Sequence, residues 1–177
     1  MTPWFIATRP FGPHLGDVWT RYVAWSGLQQ LEELVSLDGL CEPLLPDIEP
    51  DFWPHIVQED YMLSFFVDLP FLEAKIAGLG ERNLLCLFRN PDSDPAPPEG
   101  RFEFLGYDLV DVMGGVSALS NCGGFPAAFE NRELSRHGLL ATRARAFEVR
   151  GLLKRTYSAE AHAHCHVWAI FRDRGGT

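Results

Sequence analysis

The arrangement of apolar and polar residues along the chain predicts a sheet of about five strands. Each candidate strand is a short run rich in aromatic and β-branched residues, bounded by residues that favour turns. The runs cover residues 3–9, 61–67, 83–89, 101–112 and 161–171. Only a proline-rich loop separates residues 83–89 from residues 101–112, so we expect these two strands to form an antiparallel hairpin with a long connection.

Helical periodicity is visible in further segments. Ser26 is a candidate N-cap for a helix that begins directly after it, and residues 17–25 fit the same period. The apolar stripe of this helix would consist of Leu28, Leu31, Leu34 and Val35. Asp68 is a candidate cap for a short second helix with Pro70 in its first turn. Residues 139–156 show the clearest helical pattern, because apolar residues share one stripe and arginines fill most other positions.

These elements predict an α+β fold with two or three helices packed on an antiparallel or mixed sheet. The helices and strands do not alternate strictly, which argues against a doubly wound parallel sheet. Hydrophobic residues make up 46% of the 177 residues, a composition typical of globular proteins. A chain of this length buries roughly 70% of its unfolded surface, so we expect residues 1–177 to form one globular domain without disulfides or metals.

The charged residues are unevenly distributed along a chain whose formal net charge is −9. Residues 22–74 contain eleven acidic residues and no lysine or arginine, whereas residues 132–155 contain seven basic and two acidic residues. Two interpretations are open. The segments can neutralise each other in the fold, or the acids can share a face that repels nucleic acid and attracts basic partners.

The most unusual part of the acidic segment is residues 41–61, where carboxylates alternate with apolar residues and prolines. The prolines prevent a regular element, so we expect a loop that wraps the surface. Aromatic anchors with a charged rim are typical of protein-binding surfaces, although the same apolar residues can also fix a loop to its own core. The candidate partner-binding residues are Glu42, Asp47, Glu49, Asp51, Phe52, Trp53, Glu59 and Asp60.

Several classes of function have no support in the sequence. No apolar run approaches the ~20 residues of a membrane span, and the first residues do not resemble a signal peptide, so we expect a cytoplasmic protein. Glycine-rich phosphate-binding motifs are absent, and we predict no cofactor. The low lysine content and the negative charge argue against nucleic acid as a partner. The widely spaced cysteines do not match a zinc ribbon and indicate free, buried thiols.

Residues 161–171, with the sequence AHAHCHVWAIF, place histidines at alternate positions. On a strand His162, His164 and His166 would share one face. Two of them, such as His162 and His164, could chelate one zinc ion, but the outer pair would lie about 13 Å apart at a rise of ~3.3 Å per residue. A zinc site would therefore need a ligand from elsewhere, for which the candidates are Asp108, Asp111 and His137.

A second candidate chemistry is a cysteine nucleophile in the glycine-rich segment 114–129, GGVSALSNCGGFPAAF. A thiol before a helix has a lowered pKa, and a histidine on a later strand can serve as its base. The order and spacing resemble the NlpC-type cell-wall cysteine peptidases, in which a Gly-Gly pair precedes an Asp-Cys-Ser-Gly stretch. The resemblance implies Cys122 as nucleophile and His164 or His166 as base. Asn121 and Gly123 depart from the Asp and Ser of that stretch.

The function that the sequence favours is binding to another protein. The most concrete form of this prediction is an acidic inhibitor of the immunity-protein type, which neutralises a basic or nucleic-acid-directed toxin. This prediction rests on charge and surface chemistry and on no motif. The alternatives are a cysteine amidase or peptidase that uses Cys122, and a zinc-binding module that uses the alternating histidines.

Overall fold

The computed structural model describes residues 1–59, 61–96, 100–120 and 125–175. As predicted, the fold is α+β, with one antiparallel sheet of four strands instead of about five. The strands are β1 (Trp4–Thr8), β2 (Asn83–Arg89), β3 (Phe102–Asp111) and β4 (Cys165–Asp173), and their order in the sheet is β1-β2-β4-β3. The α-helices are α1 (Asp17–Ser26), α2 (Leu69–Ile76) and α3 (Arg143–Thr156).

The predicted fifth strand and the predicted hairpin are both wrong. Residues 61–67 make only isolated bridges, through Phe66 to Phe5 and to Ile56. Strand β4 lies between β2 and β3 and pairs antiparallel with each. The central position of β4 follows from its composition, because Val167, Trp168, Ala169 and Ile170 are all fully buried and both faces of the strand therefore need cover.

The first predicted helix ends where it was expected to begin. Helix α1 stops at Ser26, and Gly27 has a left-handed backbone with φ of 71° and donates its N–H to the carbonyl of Val23. Ser26 Oγ accepts the N–H of Leu28, which turns the chain out of the helix. Leu28, Leu31, Leu34 and Val35 are all buried, although they belong to no helix. The spacing of these four residues therefore correctly predicted that they are buried, but the helix that it also predicted is absent.

The second helix is confirmed, and the third is confirmed except for its first four residues, because residues 139–142 are not helical. Helix α2 begins after Asp68, whose Oδ1 accepts the N–H of Phe71 at 3.0 Å. Helix α3 begins after Thr142, whose Oγ1 accepts the N–H of Arg145. Its core-facing stripe consists of Ala146, Val149 and Leu153.

Both faces of the sheet are covered by apolar residues. One face packs with the helices in a large core that includes Leu84, Cys86, Leu109 and Val167. The opposite face carries Ile6, Leu85, Leu87, Trp168 and Ile170, and irregular segments cover it with Val35, Leu37, Phe65 and Leu139. The strands thus contribute to two cores, which explains the continuous apolar runs of β2 and β4.

Irregular segments also cover both outer edges of the sheet. Beside β1, Phe66 N donates to Phe5 O at 2.8 Å and Leu44 N donates to Ala7 O at 2.9 Å. Beside β3, Leu140 exchanges two backbone hydrogen bonds with Tyr107. The outer backbone groups of the edge strands are therefore partly paired.

Cys41, Cys86 and Cys165 are free and buried, as the sequence predicted. Burial raises the pKa of the Cys86 and Cys165 thiols to about 12 and raises the pKa of Cys41 as well. Among the residues described, no helix has the length and apolar character that crossing a membrane requires.

Candidate functional site

The predicted partner-binding loop is fixed to the core by one aromatic residue and presents the next one to solvent. Phe52 lies on a 3-10 turn at Pro50–His55 and is only 2% exposed. Its ring centroid lies 5.6 Å from that of Phe66 and 5.7 Å from that of Phe71. Phe52 is therefore a core residue and is not available to a partner.

Trp53, the next residue, is 57% exposed. Its backbone is held on both sides, because Phe52 anchors the turn and Gln58 Nε2 donates to Trp53 O at 2.7 Å. Ile48 in the same loop is 42% exposed. The loop thus presents two large apolar side chains on a backbone that the core and a hydrogen bond fix in place.

Most carboxylates of the loop face a cation from another part of the chain. Lys75 Nζ lies 2.7 Å from Asp51 Oδ2 and 3.7 Å from Glu49 Oε2. The hydrogen bond from Lys75 lowers the pKa of Asp51. At the two ends of the loop, Arg9 pairs with Glu42 and Arg89 pairs with Glu59. Asp47 is exposed and forms no ion pair within the described residues, and Asp60 lies outside them.

The basic segment 132–155 does not neutralise the acidic segment as a whole. Within the described chain, Arg136 with Glu32 is the only pair between an arginine or lysine of the basic segment and a carboxylate of the acidic segment. Other arginines of the basic segment bind acids elsewhere, such as Arg145 with Glu133 at 2.7 Å. The acidic residues of segment 22–74 form their ion pairs instead with cations from strands, from loops and from helix α2. The negative charge of the loop that carries Trp53 is therefore reduced but not cancelled, since Glu49 and Asp51 share one ammonium group and Asp47 forms no ion pair within the described residues.

The three alternating histidines do not share a strand face, so that prediction is wrong. Residues Ala161–Ala163 form a 3-10 turn and β4 begins only at Cys165. His162 Nδ1 lies 3.7 Å from Asp111 Oδ2, and His164 Nε2 lies 2.9 Å from Ser158 O. Only His166 stands on the strand. No group of three potential metal ligands exists among the described residues, which leaves the zinc proposal without a site there.

Another proposed zinc ligand, Asp108, is committed to the core. It is fully buried, and each carboxylate oxygen accepts one hydroxyl and one backbone hydrogen bond. Ser36 Oγ and Leu37 N donate to Oδ2, and Ser117 Oγ and Leu109 N donate to Oδ1. Burial raises the pKa of Asp108, and these four donors act in the opposite direction. The network ties two irregular segments to β3.

His137, the remaining candidate ligand, is also buried and lies away from the histidine-rich turn. Its Nδ1 is 3.9 Å from Glu33 Oε2 and has no hydrogen-bond partner in the described chain. Cys122, the proposed nucleophile, lies outside the described residues. The hydrolase alternative therefore stays a prediction, and no described contact favours it.

His166 belongs to a cationic cavity that the sequence did not predict. The cavity has a volume of about 340 Å³ and lies where β2 ends and β4 begins, beside the last turns of α3. Its polar lining consists of Asn90, Arg150, Lys154, His164 and His166. Asn90, the residue after β2, has a left-handed backbone with φ of 46°. In the sequence, the only local signal for this turn is that Asn90 precedes a proline, a combination that is common in turns.

The side chain of Asn90 joins three elements. Its Oδ1 accepts hydrogen bonds from Arg150 NH1 at 2.8 Å and from Val167 N at 3.0 Å. Its Nδ2 lies 2.8 Å from His166 Nδ1. Burial, together with the nearby charges of Arg89 and Arg150, lowers the pKa of His166.

No protein-family profile, no curated protein and no solved structure matches this chain.

Proposed function

We propose that the protein is a cytoplasmic protein-binding domain that inhibits a basic, nucleic-acid-directed toxin, in the manner of an immunity protein. Trp53 is the centre of the binding surface. The observation that carries the proposal is the pair Phe52–Trp53, in which the buried ring fixes the turn that exposes the other ring. Tryptophan is enriched among the residues that dominate binding energy at protein interfaces.

The fixed backbone of the turn favours binding. A partner that covers Trp53 does not have to order the loop, because Phe52, Pro50 and Pro54 already restrict it. Interfaces lose less conformational entropy when the contact residue is held in place before binding. Ile48, in the same loop, is a second large apolar side chain exposed to solvent.

The carboxylates around Trp53 give the surface its preference for a basic partner. Asp47 has no ion partner in the described residues, and Glu49 and Asp51 share Lys75. These groups are largely exposed, so their ion pairs add little to stability and can exchange for a cation of the partner. The net charge of −9 would further steer a basic protein toward the molecule.

The test first establishes whether the reading frame next to the gene of this protein encodes a basic toxin, and then measures by calorimetry the affinity for that product. Trp53→Ala should weaken binding by about 2 kcal/mol, roughly thirtyfold in Kd. Trp25→Ala is the matched control, because Trp25 is 66% exposed on α1 and lies outside the loop. It should leave the affinity unchanged.

The contribution of the carboxylates is tested separately, through the association rate and its dependence on salt. The triple variant Asp47→Asn, Glu49→Gln, Asp51→Asn should slow association and flatten its salt dependence, with a smaller effect on dissociation. Absence of a complex, or equal losses in Trp53→Ala and Trp25→Ala, contradicts the proposal.

A further inference from the structure

The cavity beside His166 contains two cations that no carboxylate of the described chain neutralises. Arg150 and Lys154 lie one helical turn apart on α3, and neither forms an ion pair there, whereas Arg143 and Arg145 on the same helix both do. Like charges at this spacing repel each other. An anion bound between them would relieve that repulsion.

The guanidinium of Arg150 is held in a defined orientation with most of its donors unused. NH1 donates to Asn90 Oδ1, and Cζ lies 4.7 Å from the ring centroid of Phe147. A guanidinium has five N–H donors in a planar fork, which matches the oxygens of a phosphate or a carboxylate. The two contacts therefore position a group that is suited to bind an oxyanion.

His166 contributes a neutral donor of known tautomer. Asn90 Oδ1 already accepts from Val167 N and Arg150, so the amide cannot be flipped and its Nδ2 must donate to His166 Nδ1. The ring proton of neutral His166 is consequently on Nε2. With Nδ1 occupied by Asn90, Nε2–H is the ring donor that His166 can offer to a ligand, and His166 lines the cavity together with Arg150 and Lys154.

We propose that this cavity binds a phosphoryl group, held by Arg150, Lys154 and His166. Its walls also include Val112 and Ala163, and its volume of about 340 Å³ is at the lower end of the range for small-molecule sites. Since apolar wall is present beside the cations, an organic phosphate monoester binds more tightly than free phosphate. The site is separate from the Trp53 surface and does not depend on its function.

The test is a titration followed by amide and histidine NMR signals at constant ionic strength. Inorganic phosphate, glycerol 3-phosphate and acetate are added separately to the full chain. Saturable shifts centred on Asn90 and His166 are expected for both phosphates, with glycerol 3-phosphate the tighter ligand. Acetate should bind more weakly, since it carries a single charge. If free phosphate binds equally tightly, the monoester preference is wrong.

Variants on the same helix separate a site from general attraction to arginine. Lys154→Gln changes an exposed side chain, and it should weaken phosphate binding about tenfold. Arg150→Gln should weaken it further. Arg155→Gln removes the same charge from the next position of α3, which does not line the cavity, and should leave the affinity within about twofold. Absence of saturable shifts, or equal weakening by Lys154→Gln and Arg155→Gln, overturns the proposal.

Discussion

Asn90 determines the tautomer of His166, because Asn90 Nδ2 lies 2.8 Å from His166 Nδ1 and donates a hydrogen bond to it. The asparagine closes the end of β2, and the histidine lies near the start of β4. One side chain therefore joins two central strands and helix α3, and it places the proton of the neutral imidazole on Nε2.

Replacing Asn90 by aspartate should reverse this arrangement. Aspartate tolerates the left-handed backbone and can still accept from Val167 N and Arg150, but it presents an oxygen to His166 Nδ1. His166 should then carry a proton on Nδ1, and its pKa should rise by about one unit. Nitrogen-15 NMR of the imidazole reports both changes. The control Asn90→Gly allows the same backbone conformation and imposes no tautomer on His166. If the pKa of His166 is no higher in Asn90→Asp than in Asn90→Gly, the mechanism is wrong.

The lowered pKa of His166 predicts a loss of stability in mild acid. The usual histidine pKa is 6.5, and burial and the nearby arginines place that of His166 below it in the folded protein. As the pH falls below 6.5, the unfolded chain therefore binds a proton at this residue before the folded chain does. The stabilisation is complete above that pH and decreases below it.

Urea unfolding at a series of pH values measures this contribution. The free energy of unfolding of the wild type should fall relative to that of His166→Gln by up to about 1 kcal/mol between pH 7.5 and pH 5.5. Comparing the two proteins removes the effects of other groups that titrate in this range, including His137. A difference that does not change with pH would show that His166 is not responsible.

Gly106 is required where β3 changes register. Its φ is 146°, and an added Cβ would lie 2.7 Å from Leu139 Cβ and 2.8 Å from Leu140 O. Gly106→Ala should lower the free energy of unfolding by about 2–3 kcal/mol, because strain and overlap act together. Gly80→Ala is the control, since a Cβ there meets no atom within 4 Å. Thermal unfolding curves should shift for the first variant only.

Asp108→Asn should be strongly destabilising although it preserves shape. The amide can replace only one of the two oxygens as an acceptor, so a hydroxyl and a backbone N–H lose their partner in the core. The expected loss is about 3 kcal/mol of unfolding free energy. Asp92→Asn, at an exposed position, should have no measurable effect. A loss below about 1 kcal/mol would mean that the network rearranges around the amide.

The buried thiols should not react in the native protein. Cys41, Cys86 and Cys165 have raised pKa values because they are buried, so little thiolate forms near neutral pH. Labelling with a disulfide reagent should modify these three only after unfolding. Because the prediction concerns named residues, mass spectrometry of the labelled peptides is the appropriate measurement.

The parts of the fold that sequence predicted are those with local determinants. The capping side chain of Asp68 and the apolar residues of α3 lie within a few residues of the helices that they define, although the buried stripe of α3 is the flanking set Ala146, Val149 and Leu153 and not Leu140, Ala144 and Phe147. The stripe from Leu28 to Val35 has the same spacing but no helix, because Ser26 and Gly27 end α1 just before it. Apolar residues three or four positions apart therefore indicate burial, but their spacing alone does not show whether the segment is a helix.

The candidate sites depend on contacts that are distant in sequence. Phe52 and Trp53 are adjacent aromatic residues, and only the positions of Phe66 and Phe71 decide which of them is buried. The cavity at His166 depends on Asn90, 76 residues earlier in the chain. The alternating pattern marks His166 in the sequence, but no local pattern links it to Asn90 or Arg150, which the pairing of β2 with β4 and the packing of α3 bring next to it.

The covered edges of the sheet bear on how the protein can aggregate. Phe66 and Leu44 occupy backbone groups of β1, so a second molecule cannot add its own strand there without first displacing these segments. Removal or proteolytic cleavage of the chain near Phe66 would open β1 as a template for intermolecular pairing. Fibril formation should therefore begin from forms in which this segment has detached, before the four-stranded sheet itself comes apart.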